Sequence, residues 1–253
     1  MNPPSIKIVI PAFRESTRIG NYVSELTAAI ATRALPFNIL VVDDGSGLAE
    51  LKKTEAVLAP FLKNYPTIVH LLALPENQGK GGAIKAGWDD LRFPAEYLAF
   101  VDADGSVPAA ETIRFLEQVP GSGEKTCLFG SRIKMLGRTI HRSLFRHLIG
   151  RVFATLVSVS LDLPIYDSQC GCKVIPAHAY QRIRSVLQEN GFAFDVELTA
   201  ALMAAGCVVR EVPVDWSDVP GSKLALGRDS LRMFFSCLSV QRRSRKWSFP
   251  PTG

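Results

Sequence analysis

Phe100-Val101-Asp102-Ala103-Asp104-Gly105 decides how this chain is read, because an apolar strand runs there into two carboxylates one residue apart. Successive side chains of a strand turn to opposite faces, so Asp102 and Asp104 face one site at the strand's C-terminal edge. Two hard oxygen ligands in that position suit Mg²⁺ or Mn²⁺, which take few carboxylates and complete their shell with water and a diphosphate. The plain alternative is a turn after a strand, since Asp and Gly are favoured turn formers.

A second stretch, Ile39-Leu40-Val41-Val42-Asp43-Asp44-Gly45-Ser46, repeats the pattern of a buried strand ending in acids and a turn. Two strands delivering carboxylates to their C-terminal ends build the ligand crevice of an open α/β sheet. The pair points to an enzyme acting on a nucleotide-linked substrate.

The remaining sequence fits one such sheet. Strands are expected at 6–10, 38–43, 67–73, 97–102, 126–130, 172–175 and 207–212. Helices are expected at 16–33, 48–63, 80–91, 109–119, 139–161, 177–189, 196–205 and 229–242. Their alternation predicts a single α/β, Rossmann-like domain with a mainly parallel mixed sheet flanked by helices. A length of 253 residues, 47% hydrophobic and 21% charged, suits one catalytic domain at 1–225 with a basic amphipathic helix and tail at 226–253.

No uncharged run approaches the roughly 20 residues of a membrane span. Val152 to Leu161 and Leu198 to Val209 are both bounded by charge, and Met1-Asn2-Pro3-Pro4 lacks the regions of a signal peptide. The expected location is cytoplasmic. Cys127, Cys170, Cys172, Cys207 and Cys237 form no disulfide framework, and the spacing of Cys170-Gly171-Cys172 does not suit zinc.

Charge is divided unevenly along the chain. Lys125, Arg132, Lys134, Arg138, Arg142, Arg146 and Arg151 meet no acid between Glu124 and Asp162. Lys223, Arg228, Arg232, Arg242, Arg243, Arg245 and Lys246 accompany a single acid, Asp229. Both segments read as amphipathic helices, the second ending beside Trp247 and Phe249, and both suit an anionic membrane surface. For the first, a core-packed helix with a solvated basic face is an equal reading. The acidic body and the lack of a recognisable motif argue against nucleic acid.

Three loops acquire roles. Pro11-Ala12-Phe13-Arg14-Glu15 leaves the first strand, where backbone amides and Glu15 can receive a base and ribose; a simple helix start is the alternative. Asn77-Gln78-Gly79-Lys80-Gly81-Gly82 can bring its amides and Lys80 to a diphosphate, although its spacing is not that of a Walker A loop. Gly130-Ser131-Arg132 can present Arg132 to phosphate.

Taken in order, these motifs resemble the family 2 glycosyltransferases of GT-A fold. Asp167-Ser168-Gln169-Cys170-Gly171-Cys172-Lys173, Phe194-Asp195-Val196-Glu197, Glu211-Val212-Pro213-Val214-Asp215-Trp216 and Gly221-Ser222-Lys223-Leu224 narrow the likeness. They resemble the polyprenyl-phosphate glycosyltransferases, the dolichyl-phosphate glucosyltransferase branch more than the mannose branch.

The resemblance implies that Pro11, Ala12, Glu15 and Asp43 hold the nucleotide and that Asp102 and Asp104 serve the metal and diphosphate. Ser106 stands at the third metal position, where relatives often carry Gln. Lys223 lies in a loop expected to close over the donor. The implied reaction is inverting hexosyl transfer, foremost of glucose from UDP-glucose, to a polyprenyl monophosphate. Mannosyl or N-acetylhexosaminyl transfer, transfer to a soluble glycan, and a non-catalytic nucleotide-sugar binder are the alternatives.

A phosphate monoester needs little general-base help, so positioning matters more. Arg132, Arg142 and Arg146 are the candidates for the acceptor phosphate. Asp167 is either an orienting group or base, or structural. Because relatives of this kind carry membrane anchors, the chain is expected to dock peripherally, helped by a membrane partner or by self-association.

Overall fold

Strand β1 (Ile6–Ala12) is the spine of the sheet, apolar on both sides because both faces are covered. It pairs in parallel with β2 (Phe37–Asp43), Val9 opposite Leu40, and with β4 (Tyr97–Val101), Val9 opposite Phe100. Beyond β2 lies β3 (Val69–Ala73), again parallel. Crossovers through α1 (Ile19–Thr32), α2 (Leu48–Asn64) and α3 (Lys80–Asp89) make this direction possible, since parallel neighbours need long connections. The computed structural model describes residues 3–119, 126–141, 164–219 and 228–249.

Past β4 come α4 (Ala109–Leu116), β5 (Thr126–Ser131), the two-residue β6 (Ile140–His141) and β7 (Cys172–Pro176). They are followed by α5 (Ala177–Ile183), α6 (Phe194–Ala204), β8 (Val208–Pro213), the two-residue β9 (Trp216–Ser217) and α7 (Arg228–Ser244). The seven-stranded sheet runs β3-β2-β1-β4-β7-β5-β8. Only β7 is antiparallel to its sheet neighbours, β4 and β5.

Alternate side chains of the strands feed two cores. Ile8 and Ile10 face Ile19, Val23 and Leu26 of α1, Leu58 of α2 and Ile113 and Phe115 of α4. Val9, Leu40 and Val42 face Ala83, Ile84 and Trp88 of α3, Ala179 and Tyr180 of α5 and Phe194 and Leu198 of α6. The result is a helix, sheet, helix sandwich that leaves the C-terminal ends of β1, β2, β4 and β5 at one edge.

Several boundaries depart from the sequence reading. The helix expected from Ser16 starts at Ile19, because Arg14 takes a positive φ of 54° and the Glu15 carbonyl accepts the Arg18 and Ile19 amides in a turn. The helix expected from Thr139 is replaced at its start by β6: the Thr139 amide donates to Asp215 Oδ1, and its carbonyl accepts from the Trp216 amide. Residues 142–161 of that expected helix lie outside the described residues. The helix expected at 177–189 ends at Ile183 and passes into a 3₁₀ turn over Arg184–Val186.

The C-terminal helix forms, but its surroundings differ from the amphipathic bilayer helix expected. Cys237 and Val240 pack on Ala193, Val196 and Ala200 at α6. Arg243 reaches Glu189 Oε1 at 2.8 Å and Glu197 Oε1 at 2.7 Å, while Trp247 and Phe249 lie partly buried against the core. These three residues therefore belong to the body, since a buried Glu197 needs a cation beside it. Arg242, Arg245 and Lys246 remain exposed, and Phe235 is 65% exposed. Among the described residues, no helix is long and apolar enough to cross a membrane.

Candidate active site

Strand β4 ends at Val101, and its next residue, Asp102, has a side chain 39% exposed at the sheet edge. The Asp102 amide donates to the Gly171 carbonyl at 2.9 Å, which ties this end of β4 to the entry of β7. Gly171 has to lack a side chain: a Cβ there would lie 1.7 Å from Asp102 Oδ2. Asp104 follows in a turn closed by the Ser106 amide, which donates to Asp104 Oδ1 at 2.9 Å. Burial, then the nearby charge of Asp102, raises the Asp104 carboxyl above its ordinary value; its bonds from Ser106 and the charge of Arg18 act in opposition.

A carboxylate disfavoured by a like charge beside it is stabilised by any cation that joins the pair. The donor set of two hard carboxylate oxygens with the Ser106 hydroxyl close by therefore fits Mg²⁺ or Mn²⁺. Among the described residues, no group of three or more His, Cys, Asp or Glu side chains converges as a complete metal cage. Two carboxylates leave coordination positions for water and substrate oxygens, as Mg²⁺ prefers.

The loops after β1 and β2 adjoin this edge. Glu15 is nearly buried and holds Arg18 with two bonds, Nε to Oε2 and Nη2 to Oε1, each 2.8 Å. The Ala12 carbonyl accepts the Asp44 amide, and the Arg14 amide donates to Ser46 Oγ. Pro11 is half-buried at this edge, next to the buried Ala12. Asp43 is buried and accepts the Ser46 amide at 3.0 Å, fixing the turn.

Asp44 was not singled out from the sequence, yet it organises the glycine-rich loop. Its carboxylate accepts the Gln78 amide at 2.7 Å, the Gly79 amide at 2.9 Å and Asn77 Nδ2 at 3.0 Å. The Gly82 amide donates to the Asn190 carbonyl. These three amides, expected to approach a diphosphate, are thus committed within the protein. Gly79 adopts a φ of +86°, and a Cβ on it would strike the Asn190 carbonyl oxygen at 2.5 Å. What the loop does deliver to the edge is Lys80.

Lys80 Nζ lies 2.9 Å from Asp102 Oδ1 and 3.2 Å from Asp195 Oδ2. Asp195, in the first turn of α6, is also bonded by Lys173 Nζ from β7, which donates besides to the Cys170 carbonyl at 2.7 Å. Burial works against the Lys80 charge, but Asp102 and Asp195 outweigh it and hold the ammonium above its ordinary value. Burial likewise opposes ionised Asp195, and the charges of Lys173 and Lys80 win, holding that carboxyl low. The Phe100 ring lies beneath both ammoniums, with centroid distances of 5.2 Å to Lys80 and 5.3 Å to Lys173.

At the end of β5, Arg132 is paired with Asp167. Nε donates to Oδ2 and Nη2 to Oδ1, both at 2.7 Å, and the Arg132 amide donates to Oδ2 at 3.0 Å. Burial would raise the Asp167 carboxyl, but the Arg132 charge and bonds hold it far below its ordinary range. Glu211 on β8 fixes this loop by accepting the amides of Tyr166 and Asp167 and the hydroxyl of Ser131. Trp216 flanks the Arg132 guanidinium at 5.6 Å.

Pro11, Ala12, Glu15, Asp43, Lys80, Asp102, Asp104, Ser106, Arg132 and Asp167 therefore lie at strand ends, a helix start and the loops that follow, all at one edge of the sheet. Arg142, Arg146 and Lys223 lie outside the described residues. The sequence reading missed Asp44, Lys173, Asp195 and Glu211 as organisers. A signal was present for two of them, since Lys173 and Asp195 are charges set inside otherwise apolar runs, where burial demands a partner.

Comparison with known proteins bears on what this edge does. Residues 7–183 match the model of Glycosyl transferase family 2. The dolichyl-phosphate beta-glucosyltransferase of Homo sapiens is 30% identical over 249 residues, covering 94% of this chain and 75% of the relative. That of Saccharomyces cerevisiae is 28% identical over 241 residues, covering 90% and 71%. Among solved structures, the UDP complex of glucosyl-3-phosphoglycerate synthase from Mycobacterium tuberculosis superposes with a TM-score of 0.67 at 15% identity, covering 94% of this chain and 80% of that one. Mannosyl-3-phosphoglycerate synthase from Rubrobacter xylanophilus gives 0.66 at 16%, covering 96% and 75%. The structural likeness agrees with a GT-A fold, and the match across most of the sheet makes the chain a glycosyltransferase that belongs to glycosyl transferase family 2.

Proposed function

We propose that the protein transfers a hexose, glucose from UDP-glucose, to a polyprenyl monophosphate with inversion at the anomeric carbon. The observation that carries the reading is the Asp102 and Asp104 pair at the C-terminal end of β4, with Lys80 at Asp102, in a chain alike throughout to dolichyl-phosphate beta-glucosyltransferases. A solved neighbour holding Mn²⁺ and UDP together supports a divalent cation and a uridine nucleotide.

Pro11, Ala12, Glu15 and Asp43 line the nucleotide side, with Glu15 fixed by Arg18. Asp102 and Asp104, with Ser106 bracing Asp104, would hold Mg²⁺ or Mn²⁺ and the diphosphate oxygens. A bound cation of this kind neutralises charge on the departing nucleoside diphosphate. Lys80 adds positive charge on the same side, and Lys223 is assigned to the donor as a further cation. An acceptor phosphate oxygen attacks the anomeric carbon as the bond to the diphosphate breaks, and the electron pair leaves with the diphosphate.

Asp167 acts by orienting Arg132 rather than as a base, because a carboxylate held so firmly anionic has little affinity for a proton. Arg132, Arg142 and Arg146 are the groups we assign to the acceptor phosphate. The catalytic unit spans 1–225, and 226–253 supplies exposed Arg242, Arg245 and Lys246 for peripheral contact with an anionic membrane on the cytoplasmic side.

The test offers labelled UDP-glucose, GDP-mannose and UDP-N-acetylglucosamine with a short polyprenyl phosphate and Mn²⁺. Glucosyl-lipid from the first donor is expected, and Asp104→Ala should abolish it while leaving the fold intact. Donor binding without product from any of the three would refute the transferase reading.

A further inference from the structure

Lys173 and Asp195 touch neither the donor nor the acceptor in the reading above, yet they form a buried chain that ends on Asp102. Lys173 is wholly buried, and its ammonium is fixed by Asp195 Oδ1 and the Cys170 carbonyl. Asp195, its side chain 3% exposed, presents its other oxygen, Oδ2, to Lys80. Lys80 then spans to Asp102, which lies at the wet end of the series. Two ammoniums and two carboxylates thus alternate from the core to the site.

One ammonium between two carboxylates divides its attraction between them. Were Asp195 neutral, Lys80 would be balanced by Asp102 alone and would hold that carboxylate more tightly. Lys80 and an incoming cation compete for Asp102, and like charges cannot both sit on it at full strength. With Asp195 in place, Lys80 retains a buried partner when the cation arrives, so no charge is left unpaired. Asp195 cannot drift toward Lys80, since Lys173 anchors it from behind.

We propose that Asp195 is a positioning residue that shares Lys80 with Asp102 and so weakens its hold there, and that it thereby keeps Asp102 open to a divalent cation, with Lys173 as its anchor. The inference rests on Asp102 being a cation ligand, as read above.

The experiment measures Mn²⁺ binding to the whole protein without nucleotide, by electron paramagnetic resonance of free Mn²⁺. Asp102→Asn should lose the site; unchanged binding there would overturn the cation reading and the inference with it. Given that control, Lys80→Met should bind Mn²⁺ severalfold more tightly, and Asp195→Asn about tenfold more weakly, as for contacting charges. The double variant Lys80→Met/Asp195→Asn should match Lys80→Met, because the competitor is gone. Weakening in the double variant as large as in Asp195→Asn would mean that Asp195 acts only through structure, and would overturn the inference. Should Asp195→Asn fail to fold for want of a partner to Lys173, Lys80→Met decides alone: unchanged or weaker Mn²⁺ binding overturns the proposal.

Discussion

Arg132 and Asp167 meet at three points, two from the guanidinium at 2.7 Å and one from the Arg132 amide at 3.0 Å. Both side chains are largely withdrawn from water, so each depends on the other for its charge. Replacing Arg132 by Met leaves a buried carboxylate and should cost about 3–5 kcal/mol of stability. The paired change Arg132→Met/Asp167→Leu should cost less than Arg132→Met alone, as read from urea denaturation midpoints.

Acid should expose the same pair and its counterpart at Asp195. Both carboxyls sit below the ordinary value of 3.8 in the folded protein. Between the folded values and 3.8 the unfolded chain binds more protons, so stability rises with pH through that window. The contribution is fully present above 3.8 and is lost as pH falls toward the folded values. Asp167→Asn should be less stable than the wild type at neutral pH, with the gap narrowing on acidification below 3.8; urea unfolding across the acid range measures it.

Gly171→Ala places a methyl group where the Asp102 carboxylate lies. Displacing that carboxylate by about 1 Å should lower turnover by about 10²-fold. A kcat measured at saturating donor and Mn²⁺, with circular dichroism to confirm the fold, checks it.

Arg243→Ala removes the cation between Glu189 and fully buried Glu197. The expected cost is about 3 kcal/mol, concentrated at the docking of α7. Hydrogen exchange should show protection lost along 236–247 before the sheet is affected.

Membrane contact can be tested separately from folding. Arg242, Arg245 and Lys246 are exposed, so changing all three to Gln should leave stability unaltered. At roughly 1 kcal/mol per basic residue near an anionic surface, binding to phosphatidylserine vesicles at low salt should fall about a hundredfold. Flotation with and without the changes gives the answer.

All seven strands of the main sheet were legible, because each is a short run rich in apolar or β-branched residues with Asp, Gly or Pro at or near its end. The short pair β6 and β9 was not, since neither has a local signal. Asp215 and the Thr139 backbone hold them together across a long stretch of chain, and Glu111 joins in by accepting from Arg138 and the Asp215 amide. Asp102 and Asp104 were legible as a strand-end pair, but the partners of Asp102 were not. Lys80, Lys173 and Asp195 come from the start of one helix, a strand and a second helix, whose meeting depends on the sheet order. Trp247 and Phe249 misled the reading for a similar reason, as aromatics beside Arg look alike whether they face a bilayer or a core.

The reversed strand β7 has one more consequence. Because it lies beside β5 and runs against it, with Phe129 opposite Lys173, the chain leaves the sheet at Ser131 and rejoins it at Cys172 on the same edge. Arg132 at one end and Asp167, Cys170 and Gly171 at the other are bonded into the site and fix the ends of the excursion between them, while Glu15, Asp43, Lys80, Asp102 and Asp104 all precede it. Such a layout makes the excursion an exchangeable cassette. Between those anchored ends its length and composition can change while Glu15, Asp43, Lys80, Asp102 and Asp104 keep their places.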